Sequence, residues 1–352
     1  MDLSAALEPI RVEHRLPALA GLVLQKGEVI ALGATGVRRR GSRTPVSVDD
    51  SWHLASCTKA MTATLAARLV ERGDLRWDTR VEEAFPDLRD GMSPDYRPVR
   101  LTALLGHRAG VPGDITRFPI WSWLWSNRGS TAQERAELVA TLLGMKPEAK
   151  PGTRHIYSNG GYTIAGAMTE RAAGESWEAL MRREVFEPLG MGSAGFGPPG
   201  ADPADADTQP WGHSDQGRRA LRPDDPRADN PAAIGPANAV HVSLRDWARF
   251  VAVHMDGGRA AGGYLREETF RVLHTPLDGQ DYALGWIATD RPWGGGRVLT
   301  HAGSNTMWYV VVWMAPMRDF AVLVATNQGG DRAARGTDAA VGALIHWNQD
   351  SR

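Results

Sequence analysis

The order in which the apolar pattern changes along the chain is the tightest constraint on its fold. Near the N-terminus, "LAGLVLQKGEVIALGATGV" contains two β-rich runs that meet at Lys26-Gly27, which predicts a hairpin. Strand-length runs return only late, in "YALGWIAT" (282–289), "RVLTHAG" (297–303), "MWYVVVWMA" (307–315) and "DFAVLVATN" (319–327). A final helix is expected around 334–347. Between the two strand regions the pattern is helical, as in "YTIAGAMTERAAG" and "SWEALMRREVFEPLG". A chain written strands, helices, strands folds most economically as one sheet assembled from both ends, with a helical region inserted between them. This predicts a discontinuous sheet domain, residues 1–75 and 262–352, and a mainly helical domain, 76–261. Within the latter, residues 194–240 are dense in Pro, Gly and Asp and read as a long irregular excursion. Its "DPADAD" lacks the spaced oxygen ligands, glycine and distal glutamate of a calcium loop.

Composition narrows the function. The formal net charge of -1 gives no reason to expect nucleic acid or an acidic membrane surface as a partner. Arginine clusters such as Arg38 to Arg40 read as solvated loop. No apolar run reaches membrane-spanning length, and the opening "MDLSAALEPIRVEHRLPALAG" lacks the pattern of a secretory signal, so a cytoplasmic protein is expected. The lone cysteine, Cys57, excludes an intramolecular disulfide and, with no paired cysteines, offers no structural zinc site. No metal or other cofactor is expected.

The chemistry concentrates in "WHLASCTKAMTATLAARLVERGDL", residues 52–75. Only four lysines occur, Lys26, Lys59, Lys146 and Lys150, and only Lys59 has a serine three residues before it. Lysine can lose its proton when desolvated, whereas arginine effectively cannot. The run from Ala60 is rich in helix formers and Gly73 is a natural stop. Residues three apart share a helix face, so the Ser56 hydroxyl and the Lys59 amine can meet. The helix N-terminus offers free N–H groups to a developing oxyanion. Cys57 is the rival nucleophile, but it points away from Lys59 and reads as a small packed residue.

Two further stretches carry matching chemistry. "KPGTRHIYSNGGYTIAG" presents Tyr157, a phenol able to relay a proton, and Asn159, a carboxamide able to hold both an amine and a substrate. "LTHAGSN" delivers His301 and then Gly303 at the end of a β-rich run, where glycine permits close backbone approach and the next N–H, from Ser304, faces a ligand. Taken singly, each also reads as an ordinary turn or packing residue.

Together, in this order, the three stretches resemble the serine β-lactamase-like superfamily, in the branch of class C β-lactamases, DD-peptidases and family VIII carboxylesterases. "SCTK" matches Ser-x-x-Lys, "YSN" matches Tyr-x-Asn, and "HAG" occupies the Lys/His-Thr-Gly position. The resemblance extends through "LTALLGHRAGVP" (101–112) and "PLGM" (188–191), and spans roughly residues 17–330. It implies an α+β fold: a mainly antiparallel sheet flanked by helices, with an inserted all-helical lobe. It also implies Ser56 as nucleophile, Lys59 as its base or proton shuttle and Tyr157 sharing proton transfer. Asn159 would position Lys59 and substrate, the N–H groups of Ser56 and Ser304 would form the oxyanion hole, and His301 and Gly303 would line the opposing strand. Whether Lys59 or Tyr157 takes the serine proton stays open. Acyl transfer through an acyl-serine requires Lys59 to be substantially neutral.

The motifs of an α/β-hydrolase elbow, a zinc protease and a phosphate-binding loop are all missing from the chain. A lysine at position 301 would supply a permanent charge for the carboxylate of a β-lactam or peptide, whereas a histidine is largely neutral near pH 7. The expected activity is therefore a carboxylesterase on short acyl or aryl esters. β-Lactam or D-amino-acid amide hydrolysis is the alternative, followed by acyl transfer and by acyl capture without turnover. Trp121, Trp123 and Trp125, in "FPIWSWLW", either wall an apolar acyl pocket or pack within the helical lobe.

Overall fold

The computed structural model describes residues 1–350 apart from 127–128, 203–206, 215–218, 260–262 and 278. Lys26 and Gly27 have φ 53° and 81°. Two successive left-handed residues make a tight turn whose twist suits a hairpin. The strands it joins are β1 (Ala18–Gln25) and β2 (Glu28–Gly36), paired antiparallel. The chain then adds β3 (Ser51–His53), β4 (Gly195–Phe196), β5 (Val240–Ser243), β6 (Ile287–Arg291), β7 (Gly296–Ser304), β8 (Tyr309–Ala315) and β9 (Phe320–Thr326).

Among the described residues, the main sheet has six strands in the order β2-β1-β9-β8-β7-β6, with every pair antiparallel. It draws β1 and β2 from the start of the chain and β6 to β9 from its end, as expected. β9 is buried along its whole length, "FAVLVAT". Alternation still sorts its side chains, because successive residues of a strand point to opposite faces. Ala321, Leu323 and Ala325 enter the larger core with the Thr58–Arg72 helix, whereas Phe320, Val322 and Val324 enter a second core with Leu7, Val341 and Leu344. The Ser4–Glu13 and Gly330–Asp350 helices supply those last three residues and cover the second face.

The region between the strand groups is mainly helical but contributes β4 and β5, which form a small sheet with β3 in the order β3-β5-β4. Sequence reading treats residues 194–240 as irregular throughout; two-residue β4 and the four-residue Gly235–Asn238 helix are too short to leave a periodic signal. The expected 261/262 boundary and most of the Asp-rich run at 202–207 lie outside the described residues.

The strand expected from Tyr282 begins only at Ile287. Gly285 has φ 86°, and the Ala283 N–H donates to the Trp286 carbonyl at 2.7 Å, so the chain folds back before the strand starts. A Cβ on Gly285 would lie 2.5 Å from the Ala60 Cα, so this turn lies flat against the Thr58–Arg72 helix. No described helix is long and apolar enough to cross a membrane.

Candidate active site

The Thr58–Arg72 helix is preceded by a 3₁₀ turn, Ala55–Cys57, that carries Ser56. Its small residues Ala60, Ala63, Ala66 and Ala67 are buried, and Gly73 ends it in the left-handed conformation with its N–H donating to the Val70 carbonyl. Ala55 has φ 45° without being glycine. Such a backbone costs about 1–3 kcal/mol and persists only where surroundings impose it.

Lys59 has no solvent exposure. Its Nζ lies 2.8 Å from Asn159 Oδ1, 3.0 Å from the Ala237 carbonyl and 3.2 Å from Ser56 Oγ. Burial lowers its pKa to about 7, because a low-dielectric site disfavours the ammonium. A neutral amine has two hydrogens and one lone pair. The Asn159 and Ala237 oxygens can only accept, so they take both hydrogens, and the lone pair is left for the Ser56 hydroxyl. The same arrangement holds the amine in place when it is protonated.

Asn159 opens the Asn159–Ala173 helix. Ser158 caps that helix, its Oγ accepting from the Gly161 N–H at 3.1 Å while donating to the Pro112 carbonyl at 2.7 Å. Tyr157, just upstream, lies beside Lys59, whose Nζ is 4.7 Å from the centre of its ring. Burial raises the phenol's pKa, so Tyr157 is a neutral phenol near pH 7 even though 39% of the residue is exposed.

The opposing wall is β7. A Cβ on Gly303 would lie 2.1 Å from the Leu54 carbonyl and 2.9 Å from the Ser56 nitrogen, so only glycine lets the strand pass this close to the Ser56 backbone. Ser304, next along, is exposed. His301 Nδ1–H donates to the Ala302 carbonyl at 2.7 Å, which leaves Nε2 to accept from the Tyr282 hydroxyl at 3.1 Å. Burial, with the nearby Lys59 charge, lowers the His301 pKa to about 4, so the ring is neutral. Cys57 points the other way, its Sγ toward the His301 carbonyl at 3.5 Å, and burial raises its thiol pKa.

The structure thus gathers Ser56, Lys59, Tyr157, Asn159, His301 and Gly303, with Ser304 beside them in the chain. The three tryptophans do not share one helix face: Trp121 and Trp125, four residues apart, fall together and Trp123 falls off that face. Trp121 and Trp125 meet edge to face at 6.1 Å, and Trp121 packs on the core. Trp123 and Trp125 are 36% and 40% exposed.

Three contributors escape sequence reading. Ala237 acts through a carbonyl, which every residue has and no motif marks. Tyr282 orients His301; its place just ahead of Gly285 is the only hint. His107 accepts the Ser158 N–H on Nδ1 at 3.1 Å and packs 4.3 Å from Tyr157, ring centre to ring centre. It lies in "LTALLGHRAGVP", so that stretch held a signal for it.

A family model described as Beta-lactamase matches residues 3–346. The chain is 28% identical over 335 residues to penicillin-binding protein 4 of Amycolatopsis lactamdurans, a match covering 92% of this chain and 84% of that one. It is 28% identical over 208 residues to esterase EstB of Burkholderia gladioli, covering 55% of this chain and 50% of the esterase. In shape it matches a beta-lactamase from Sulfitobacter sp. EE-36 with TM-score 0.76 at 22% identity, over 99% of this chain and 97% of that one.

Proposed function

We propose that this chain, which belongs to the beta-lactamase family, is a carboxylesterase that cleaves short, uncharged acyl or aryl esters through an acyl-serine. Its antiparallel sheet flanked by helices is the β-lactamase/transpeptidase-like fold, and its relatives include a penicillin-binding protein, esterases and a β-lactamase.

The observation that carries the reading is the charge state of the two walls. A Lys59 that is about half neutral at pH 7 touches Ser56, and a neutral His301 stands on β7 where a permanent cation would serve a carboxylate-bearing substrate. In the proposed cycle the Ser56 proton passes to Lys59 Nζ as Oγ bonds to the ester carbonyl carbon. The N–H groups of Ser56 and Ser304 receive the oxyanion. Collapse breaks the bond to the alkoxide, which takes a proton from Tyr157 or Lys59 and leaves as alcohol. Water then attacks the acyl-Ser56, gives its proton to the same pair, and the acid departs as Ser56 regains its own. The substrate is a small molecule in this reading, and neither cofactor nor nucleic acid takes part.

Steady-state hydrolysis of p-nitrophenyl butyrate by the wild type and by Ser56→Ala tests this. Turnover abolished by the substitution supports it, and equal turnover by both proteins removes Ser56 from the mechanism. The penicillin-binding relative, matched over most of both chains, favours β-lactam or D-amino-acid amide hydrolysis as the second reading. A wild type that is acylated by a penicillin but leaves the butyrate ester intact would select it, or acyl capture if the acyl-enzyme never clears.

A further inference from the structure

Outside the groups that meet the scissile bond, one carboxylate touches both walls of the site. His53 ends β3, three residues before Ser56, and its side chain has no exposure. The Ala55 N–H donates to His53 Nδ1 at 3.1 Å. A backbone N–H cannot accept, so the ring hydrogen sits on Nε2, which lies 2.7 Å from Asp229 Oδ2. The other oxygen, Asp229 Oδ1, accepts from Asn305 Nδ2 and from the Asn230 N–H, each at 2.8 Å. Asn305 is 5% exposed and follows Ser304; its Oδ1 accepts from the Met307 and Trp308 N–H groups, each at 3.1 Å.

We propose that Asp229 is a positioning residue that locks the nucleophile turn to the turn after β7, fixing the two proposed oxyanion donors relative to each other. The inference rests on Ser56 being the acylated residue. Two non-glycine residues in the left-handed region flank the bridge, Ala55 at φ 45° and Thr306 at φ 74°. Backbone of this kind holds only where its surroundings over-determine it. Through His53, the carboxylate holds the amide of Ala55; through Asn305, it holds the amides that follow Thr306. Gly303 runs against the Ser56 nitrogen between the two arms, so loosening either turn shifts one donor relative to the other. An oxyanion hole works only when its donors are set in advance. Asp229 lies in the Pro/Gly/Asp-rich excursion, which thereby has a task in the active site.

Asp229→Asn tests the lock, because a carboxamide keeps the shape but offers one oxygen where donors must be met at two, His53 at Oδ2 and Asn305 with the Asn230 N–H at Oδ1. Backbone amide exchange, followed by mass spectrometry on the folded full chain, should speed up in both 53–58 and 304–308. Asn305→Ala, which cuts only the far arm, should also speed exchange in 53–58. Ester acylation in Asp229→Asn should slow by roughly ten- to a hundredfold with KM little changed. Exchange altered in one segment only, or kcat unchanged despite altered exchange, overturns the proposal. Exchange needs no substrate, so a wild type inert toward esters would sink the esterase reading while the exchange result still decides the lock. Should Asp229→Asn fail to fold, Asn305→Ala alone decides it: unaltered exchange in 53–58 is the refuting result.

Discussion

Lys59 as a neutral base makes a quantitative prediction about pH. An amine with pKa about 7 is half neutral at pH 7. With the ordinary value near 10.5, only about one molecule in 3,000 would be neutral there, so burial raises the reactive fraction roughly 1,500-fold, or about 4 kcal/mol of activation free energy. The single-turnover burst of p-nitrophenol from p-nitrophenyl butyrate should climb about tenfold from pH 6 to pH 8 and then level off. Tyr157 adds no limb below pH 9, since burial raises its pKa. Lys59→Arg, which keeps a permanent charge, should lose at least about a thousandfold in burst rate. Stability supplies an independent check. Because the folded pKa lies below the unfolded one, the unfolded chain binds more protons between pH 7 and pH 10.5. Stability should therefore rise with pH across that window, and Lys59→Met should flatten the rise. A burst rate level from pH 5.5 to 9, or one still climbing past pH 9, would refute the argument.

Other substitutions probe the supports of the site. Gly303→Ala should lose at least about a hundredfold in kcat, since its Cβ would meet the Leu54 carbonyl at 2.1 Å and force β7 away from Ser56; kcat with a melting curve checks it. Buried Arg135, which pairs with Glu170 and Glu178 and donates to the Ala233 carbonyl at 3.0 Å, should cost about 3–5 kcal/mol in urea unfolding when changed to Met, because two carboxylates lose their partner. His254 donates from Nε2 to Thr64 Oγ1 at 3.0 Å and accepts from His274 on Nδ1 at 2.9 Å, and burial lowers both pKa values, that of His274 to about 3. The unfolded chain takes up these protons first, so stability should fall as pH drops below about 6.5, by up to about 1.4 kcal/mol per pH unit for each histidine. Urea midpoints at pH 7 and pH 5 test this, and equal midpoints would contradict it. His301→Lys should raise turnover of carboxylate-bearing amides or β-lactams relative to p-nitrophenyl butyrate, read as the ratio of kcat/KM values.

The sequence by itself determined the elements whose signal is local. The hairpin at Lys26-Gly27, the helix running to Gly73 and the late strands each follow from period and turn chemistry within a dozen residues. The Ser56 to Lys59 spacing is equally local, since one helical turn sets it. Only tertiary structure decided what those residues do. Burial by the packed fold lowers the Lys59 pKa to about 7, and the oxygens that hold its amine, Asn159 Oδ1 and the Ala237 carbonyl, come from parts of the chain 100 and 178 residues away. Burial is a property of the whole packing, and a carbonyl's usefulness depends on its direction, so neither can be read from residue type. The excursion is the clearest case: its composition predicts an irregular path, yet that path brings Asp229 to His53 and Asn305, and Ala237 to Lys59. Composition shows where the chain will not form long helices or strands; which of its groups then reach the site depends on the elements they fold against.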